Sequence, residues 1–273
     1  MSVREYRLAS ADELDLVKTF ECGQCFRWNA DENGVYTGVA YGHAAALWTR
    51  EGEVYIRTAA PLEFWREYFD LGRDYDEISR SFTGKGGAYL DKAVEYGRGI
   101  RILRQEPWEA LCSFIISQCN NIKRIKGIVE RLCCEFGEEF EFDGRQYYSF
   151  PGAQKLALLD EADLAALRCG YRAAYIITAA RAVAFEELDL QTLVACPYAE
   201  AKKALLALCG VGEKVANCVV LFGLYHMEAF PIDVWIRRAL RENFPPDFDP
   251  AVLGEYAGLA QQYIFYFARE SGK

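Results

Sequence analysis

The chain has 273 residues, 52 % hydrophobic and 26 % charged, enough to fill one large or two modest domains. No apolar run reaches the length of a membrane span, and Arg4 and Arg7 stand where a secretory leader would be apolar, so neither membrane nor secretion is expected. A net charge of −9 argues against a nucleic-acid binder on bulk electrostatics.

Charge distribution can outweigh the sum. Lys123, Arg124 and Lys126 lie close together, as do Arg237, Arg238 and Arg241, while acidic residues concentrate elsewhere, for example over 135–141. The 10 cysteines are too dispersed for a disulfide scaffold, so reduced thiols are expected. Cys22 and Cys25 have the spacing of a zinc-ligand pair, but no second pair follows, and no metal is expected.

In chain order, residues 24–58 read as short strands. The β-prone runs are Phe26-Arg27-Trp28, 35–39, 45–48 and 54–56, with turns at 31–34 and 51–52. From about residue 61 the pattern becomes helical, with Pro61 in a first turn and Phe64, Trp65, Tyr68 and Phe69 on one face. Another helix is expected over 86–96, with 97–99 as a joint. Beyond that the chain reads as almost wholly helical. Pro107 opens one segment, and Ile122 to Phe136 forms the next, closed by Gly137. Further helices are predicted at 161–168, 173–186, 198–207, 213–225, 234–243 and 250–269. The expected fold class is α+β: an N-terminal antiparallel sheet domain over 1–100, then a mainly helical domain over 101–273.

The most informative stretch is Leu208-Cys209-Gly210-Val211-Gly212-Glu213-Lys214-Val215-Ala216, between two helical patterns. Gly210 and Gly212 around Val211 make a tight helix-to-helix hairpin, with Val211 as its anchor in the core. Its bare backbone N–H groups and the following helix N-terminus suit a DNA phosphate. By itself the pattern is equally a helix C-cap with a glycine turn. Lys214 shifts the balance. It falls in a first helical turn, where the helix dipole opposes a cation and favours the neutral amine that a nucleophile at a sugar C1′ needs. Further on comes Phe230-Pro231-Ile232-Asp233-Val234-Trp235-Ile236-Arg237. Asp233 reads as an N-cap, and the same capping bonds would hold its carboxylate ionised, ready to stabilise a cationic sugar transition state.

With the hairpin, the Lys and the downstream Pro-x-Asp-Val, the chain resembles the helix–hairpin–helix DNA glycosylase superfamily, and in its details the 8-oxoguanine glycosylase branch. The resemblance runs from Gly23-Gln24-Cys25-Phe26-Arg27-Trp28 to Ala257-Gly258-Leu259-Ala260-Gln261. Ser113-Phe114-Ile115-Ile116-Ser117-Gln118-Cys119-Asn120-Asn121-Ile122 and Gly170-Tyr171-Arg172-Ala173-Ala174-Tyr175 match as well.

The resemblance implies that Lys214 is the nucleophile and Asp233 the carboxylate that assists it. Lys214 would form a Schiff base with the sugar, and β-elimination would nick the strand. A pocket of Gly23, Cys218, Gln261, Phe265 and Phe222 would hold the flipped base. In it the Gly23 carbonyl accepts the N7 hydrogen that only the oxidised purine carries, and Gln261 meets the pairing edge. Cys218 and Phe265 would clasp the two faces. Tyr171 and Arg172 would enter the duplex, and Arg124, Cys119 and Asn120 would lie along the opposite strand.

Some positions depart from the family pattern. Cys209 stands where Pro is usual in the hairpin, Cys119 where an Asn meets the orphaned base, and Trp235 where a His is common. No Cys follows Cys218, so no iron–sulfur cluster is implied, and no cofactor is expected. The expected partner is double-stranded DNA containing an oxidised purine, met by a monomer. The expected location is the cytoplasm, beside the nucleoid, in a bacterium, or the nucleus in a eukaryote. Three alternatives stand beside this reading: a glycosylase for another damaged base, a non-catalytic DNA-binding module that uses the hairpin for phosphates only, and a soluble interaction protein, which the acidic charge would suit.

Overall fold

A computed structural model describes residues 2–271. Its first strand, β1 (Arg4–Ser10), precedes a short helix α1 (Leu16–Glu21) capped by the Asp15 carboxylate. Then come β2 (Asn29–Ala30), β3 (Tyr36–Ala40), β4 (His43–Arg50) and β5 (Glu53–Thr58). All pair antiparallel in the order β1-β5-β4-β3-β2. Alternation decides the faces: Val54, Ile56 and Thr58 of β5 are buried and the residues between them are not. Helix α2 (Leu62–Tyr68) closes one face with Trp65 and Tyr68. Phe20 stacks on Trp28 with ring centres 4.5 Å apart, and the Trp28 indole N–H donates to the Tyr68 hydroxyl at 3.0 Å.

The strand expected at Phe26-Arg27-Trp28 is absent. Phe26 is buried in the helical core and Trp28 in the sheet core, so the segment bridges two bodies instead of lying on one sheet. Arg27 stays between them in a buried ion pair with Glu109, 3.5 Å apart.

Next follow α3 (Tyr75–Arg80), α4 (Gly87–Gly97), α5 (Pro107–Ile116) and α6 (Ile122–Phe136). Every residue of α5 is buried, which makes it the axis of the helical body. The chain is then less helical than expected. A hairpin of β6 (Glu139–Phe142) and β7 (Arg145–Tyr148) turns at Asp143 and Gly144, both with positive φ. Phe140 and Phe142 cover Val39, Ala44 and Ala46 on the outer face of the N-terminal sheet, a burial that local helix propensity cannot supply. The alternation Glu-Phe-Glu-Phe ahead of Asp-Gly was the available signal.

After α7 (Ala153–Ala157), the helix predicted over 161–168 is a turn with a 3₁₀ segment at Ala165–Leu167. The Asp160 carboxylate takes the N–H groups of Ala162 and Asp163, which diverts the backbone from helical pairing. There follow α8 (Arg172–Ala184), α9 (Leu190–Ala195), α10 (Tyr198–Leu206), α11 (Glu213–Phe222) and α12 (Val234–Asn243). Helix α11 ends at Phe222, capped by Gly223, three residues short of the prediction. The helix predicted over 250–269 is broken at Gly254 (φ 76°, ψ −152°) into a 3₁₀ stretch and α13 (Ala257–Ser271).

The helical core draws on residues from Cys22 and Phe26 and then from Tyr75 onward, while Leu103 returns to the sheet core. Among the described residues, no helix is long and apolar enough to cross a membrane, and no group of His, Cys, Asp and Glu could hold a metal ion.

Candidate active site

The hairpin between α10 and α11 depends on close approach. Gly210 has φ 81°, and a Cβ there would lie 2.2 Å from the Tyr175 ring. Any side chain is therefore excluded twice, by conformation and by space. Val211 is buried in the helical core, as expected of an anchor. Gly212 occupies the N-cap of α11 and brings no side chain to the first-turn N–H groups, so these stay open to an anion. Gln118 steadies the turn by donating its amide to the Gly210 carbonyl at 3.0 Å.

Lys214 lies in the first turn of α11 and is half-buried. Its Nζ donates to Ser117 Oγ at 3.0 Å and stands 5.3 Å from the centre of the Phe114 ring. Ser117 in turn donates to the Phe114 carbonyl at 2.7 Å, so the amine is held from the end of α5. Asp233 caps α12, with Oδ1 accepting the Ile236 N–H at 2.8 Å.

Lys214 and Asp233 line one cavity of about 790 Å³, together with Gly23, Cys218, Phe222, Gln261, Phe265, Asn120 and Ser117. Cys218 is one turn beyond Lys214, and burial pushes its thiol up, against the pull of the neighbouring amine. Gly23 has φ 78°, and a Cβ on it would sit 3.4 Å from both Ile122 and Phe265. Gln261 donates its amide N–H to the Pro231 carbonyl at 3.1 Å, while its Oε1 is buried without a partner. A buried free acceptor in a cavity wall invites a donor from whatever fills the cavity.

The residues expected at the opposite strand lie outside this cavity, apart from Asn120. Tyr171 is 53 % exposed. Arg172 is turned inward: it is 5 % exposed, its guanidinium donates to the carbonyls of Gln118 and Cys169, and it lies 4.5 Å above the Tyr171 ring. Cys119 is exposed with φ 51°. Asn120 donates to the Ile116 carbonyl at 2.8 Å. Arg124 is exposed at the start of α6, with no ion pair among the described residues, and Lys123 beside it lines the cavity. Arg238 and Arg241, by contrast, are both engaged by Glu242. A chain of net charge −9 therefore keeps unpaired cations next to its cavity.

The family described as 8-oxoguanine DNA glycosylase, N-terminal domain, matches residues 7–111. The HhH-GPD superfamily of base excision DNA repair proteins matches residues 112–250, half of the chain. The chain belongs to the 8-oxoguanine glycosylase branch of the HhH-GPD superfamily. An N-glycosylase/DNA lyase of Saccharomyces cerevisiae is 40 % identical over 277 residues, covering 89 % of this chain and 72 % of that protein. The structure of the Clostridium acetobutylicum 8-oxoguanine glycosylase/lyase, in complex with double-stranded DNA containing cytosine opposite 8-oxoguanine, superposes with a TM-score of 0.89 at 35 % identity. That alignment covers 100 % of this chain and 99 % of the other. The 3-methyladenine DNA glycosylase of Archaeoglobus fulgidus, at 19 % identity and a TM-score of 0.70 over 98 % of each chain, shares the fold.

Within this HhH-GPD member, sequence reasoning left Ser117 and Gln118 without roles. Both lie inside a stretch that matches the family, yet only the fold brings Ser117 to the Lys214 amine and Gln118 to Gly210 and Arg172. Glu21, Asn29, Lys126 and Arg269 also reach the cavity. Lys126 belongs to the basic cluster beside Arg124; no local pattern marks the other three, because each comes from a different element.

Proposed function

We propose that this protein flips 8-oxoguanine out of duplex DNA, releases it through attack by Lys214, and then nicks the strand. It is an N-glycosylase with DNA lyase activity. The observation that carries the reading is one cavity lined by a lysine amine, a capped carboxylate and a glycine backbone suited to a flat base. The likeness to N-glycosylase/DNA lyases and to a glycosylase bound to 8-oxoguanine DNA supports it.

The Lys214 nitrogen attacks C1′, the glycosidic bond breaks, and the base leaves with the bonding electrons and takes up a proton. The Asp233 carboxylate, held in place by its capping bond, stabilises the positive charge on the sugar. Ring opening protonates O4′ and gives a Schiff base between Lys214 and C1′; loss of a C2′ proton then drives β-elimination, in which the C3′–O bond breaks and the 3′ phosphate leaves with its electrons. The Gly23 carbonyl accepts N7–H, and Gln261 Oε1 takes a donor on the pairing edge. Cys218 and Phe265 clasp the faces, and Phe222 closes the pocket floor. Hairpin N–H groups at 210–212 hold a phosphate. Tyr171 fills the vacated stack, while Arg124, Arg172, Cys119 and Asn120 face the orphaned cytosine. Arg172 reaches it by leaving the Gln118 carbonyl or with its remaining N–H groups. The protein acts as a monomer wherever its DNA is, at a nucleoid or in a nucleus.

Borohydride trapping tests this reading. The protein is incubated with duplex containing 8-oxoguanine opposite cytosine, and a covalent protein–DNA adduct is expected. Binding without an adduct favours a non-catalytic module, and an adduct only with another lesion moves the substrate. A monofunctional glycosylase that uses water would release base without trapping.

A further inference from the structure

The two walls of the cavity come from distant parts of the chain, and a buried polar system connects them. On one side Gly23 is followed by Gln24, which is fully buried. Gln24 Nε2 donates to the carbonyls of Thr19 at 3.0 Å and Arg101 at 2.7 Å, and its Oε1 accepts the Leu103 N–H at 3.0 Å. The Gln24 carbonyl accepts from Gln105 Nε2 at 2.8 Å. The Gly23 turn is thus stapled to residues 101, 103 and 105.

On the other side α11 carries Lys214, Cys218 and Phe222 and stops at Gly223. Tyr225 follows in the left-handed region, at φ 61°. Its hydroxyl donates to Asp70 Oδ2, and the Arg104 guanidinium covers its ring at 3.9 Å. Asp70 is 4 % exposed. It also accepts from the Tyr75 hydroxyl at 3.0 Å and from Arg104 at 3.1 Å, with Arg73 Nε 3.3 Å away. Within one short segment, residues 101, 103 and 105 turn to Gln24 while Arg104 turns to Asp70 and Tyr225.

Simple cohesion does not require this arrangement. An apolar tie of the same volume would avoid burying the Asp70 carboxylate beside two part-exposed arginines, and burying a charge is costly even when it is paired. What a satisfied polar network adds is fixed geometry. Asp70 also sits in the left-handed region, at φ 50°, which Asp tolerates, whereas Tyr225 at the other end holds a conformation that a Tyr rarely adopts.

We propose that Gln24, Arg104, Asp70 and Tyr225 form a positioning strut that sets the gap between the Gly23 turn and the Cys218–Phe222 stretch of α11. They are thereby specificity-determining residues that touch neither base nor sugar. The strut rests on the reading of the cavity as the base pocket. Releasing an oxidised purine requires the Gly23 carbonyl to reach N7–H while the faces are clasped, so the gap must be held. Cutting at a site that has already lost its base requires Lys214 but no base in the pocket. Lys214 lies at the far end of α11, where the hairpin and Ser117 hold it.

Tyr225→Phe removes the hydroxyl and keeps the ring under Arg104; Asp70→Asn keeps the shape and removes the charge. Three quantities decide the matter: single-turnover base release from 8-oxoguanine duplex, strand cleavage at a preformed abasic site, and thermal unfolding. In Tyr225→Phe, base release is expected to fall about tenfold or more, as small misplacements of reacting groups do. Abasic cleavage is expected to stay within about twofold. Asp70→Asn is expected to show the same split, and both variants to melt as folded proteins. Unchanged base release, or base release and abasic cleavage falling together, overturns the strut. Abasic cleavage without any base release by the wild-type protein refutes the base-pocket reading instead, and the strut falls with it.

Discussion

The Lys214 amine donates to Ser117 Oγ at 3.0 Å, which ties the first turn of α11 to the end of α5. Removing the amine and removing its anchor should therefore differ. Lys214→Gln is expected to abolish borohydride trapping and retain DNA binding, because the hairpin N–H groups survive. Ser117→Ala is expected to trap more slowly by about fivefold, the worth of one hydrogen bond near 1 kcal/mol. Trapping rates and a binding titration check both. Full trapping by Lys214→Gln would assign the nucleophile elsewhere.

Asp233 has a capping role and a proposed electrostatic role, and substitution separates them. Asn is as good an N-cap as Asp, so Asp233→Asn is expected to keep the melting temperature while base release slows. Asp233→Ala loses the cap as well, at about 1 kcal/mol of stability. An undiminished rate in Asp233→Asn would leave the residue as a cap only.

Cys119 is exposed in the left-handed backbone region, at φ 51°. Asn tolerates that region better than Cys, and its amide is a stronger partner for a base edge. Cys119→Asn is expected to raise stability slightly. It is also expected to raise the ratio of 8-oxoguanine excision opposite cytosine to that opposite adenine by about tenfold, within the 1–3 kcal/mol of one good base contact. Excision rates opposite each of the four bases read the effect. An unchanged ratio would mean that Arg124 and Arg172 set the preference alone.

Glu109 faces Arg27 in the interior, and burial raises its carboxyl from the ordinary 4.5 to about 7, against the pull of Arg27. A carboxyl raised on folding favours the folded state while it is protonated. Its contribution is full below pH 4.5 and is lost as pH rises to about 7. Glu109→Gln does not titrate, so the stability of the wild-type protein relative to this variant is expected to decline across that window. Denaturant melts at several pH values check it; a flat difference would mean that Arg27 keeps Glu109 ionised throughout.

Much of this molecule was legible in its residues. The glycine hairpin, the first-turn lysine and the Asp cap are local features, set by backbone freedom, helix polarity and capping within a few residues. Helix α12 and the span of α6 were readable for the same reason, since caps and apolar periodicity coincide there. Three things needed the tertiary structure. The β6–β7 hairpin forms because Phe140 and Phe142 find the outer face of a sheet some hundred residues earlier in the chain. Arg172 turns inward because the Gln118 and Cys169 carbonyls are there to receive it. The cavity itself exists because Gly23 and α11, far apart in the chain, face each other across it. Local pattern determines which chemistry a side chain can carry. Only long-range burial, which pays the entropy of bringing distant segments together, decides which side chains share one cavity.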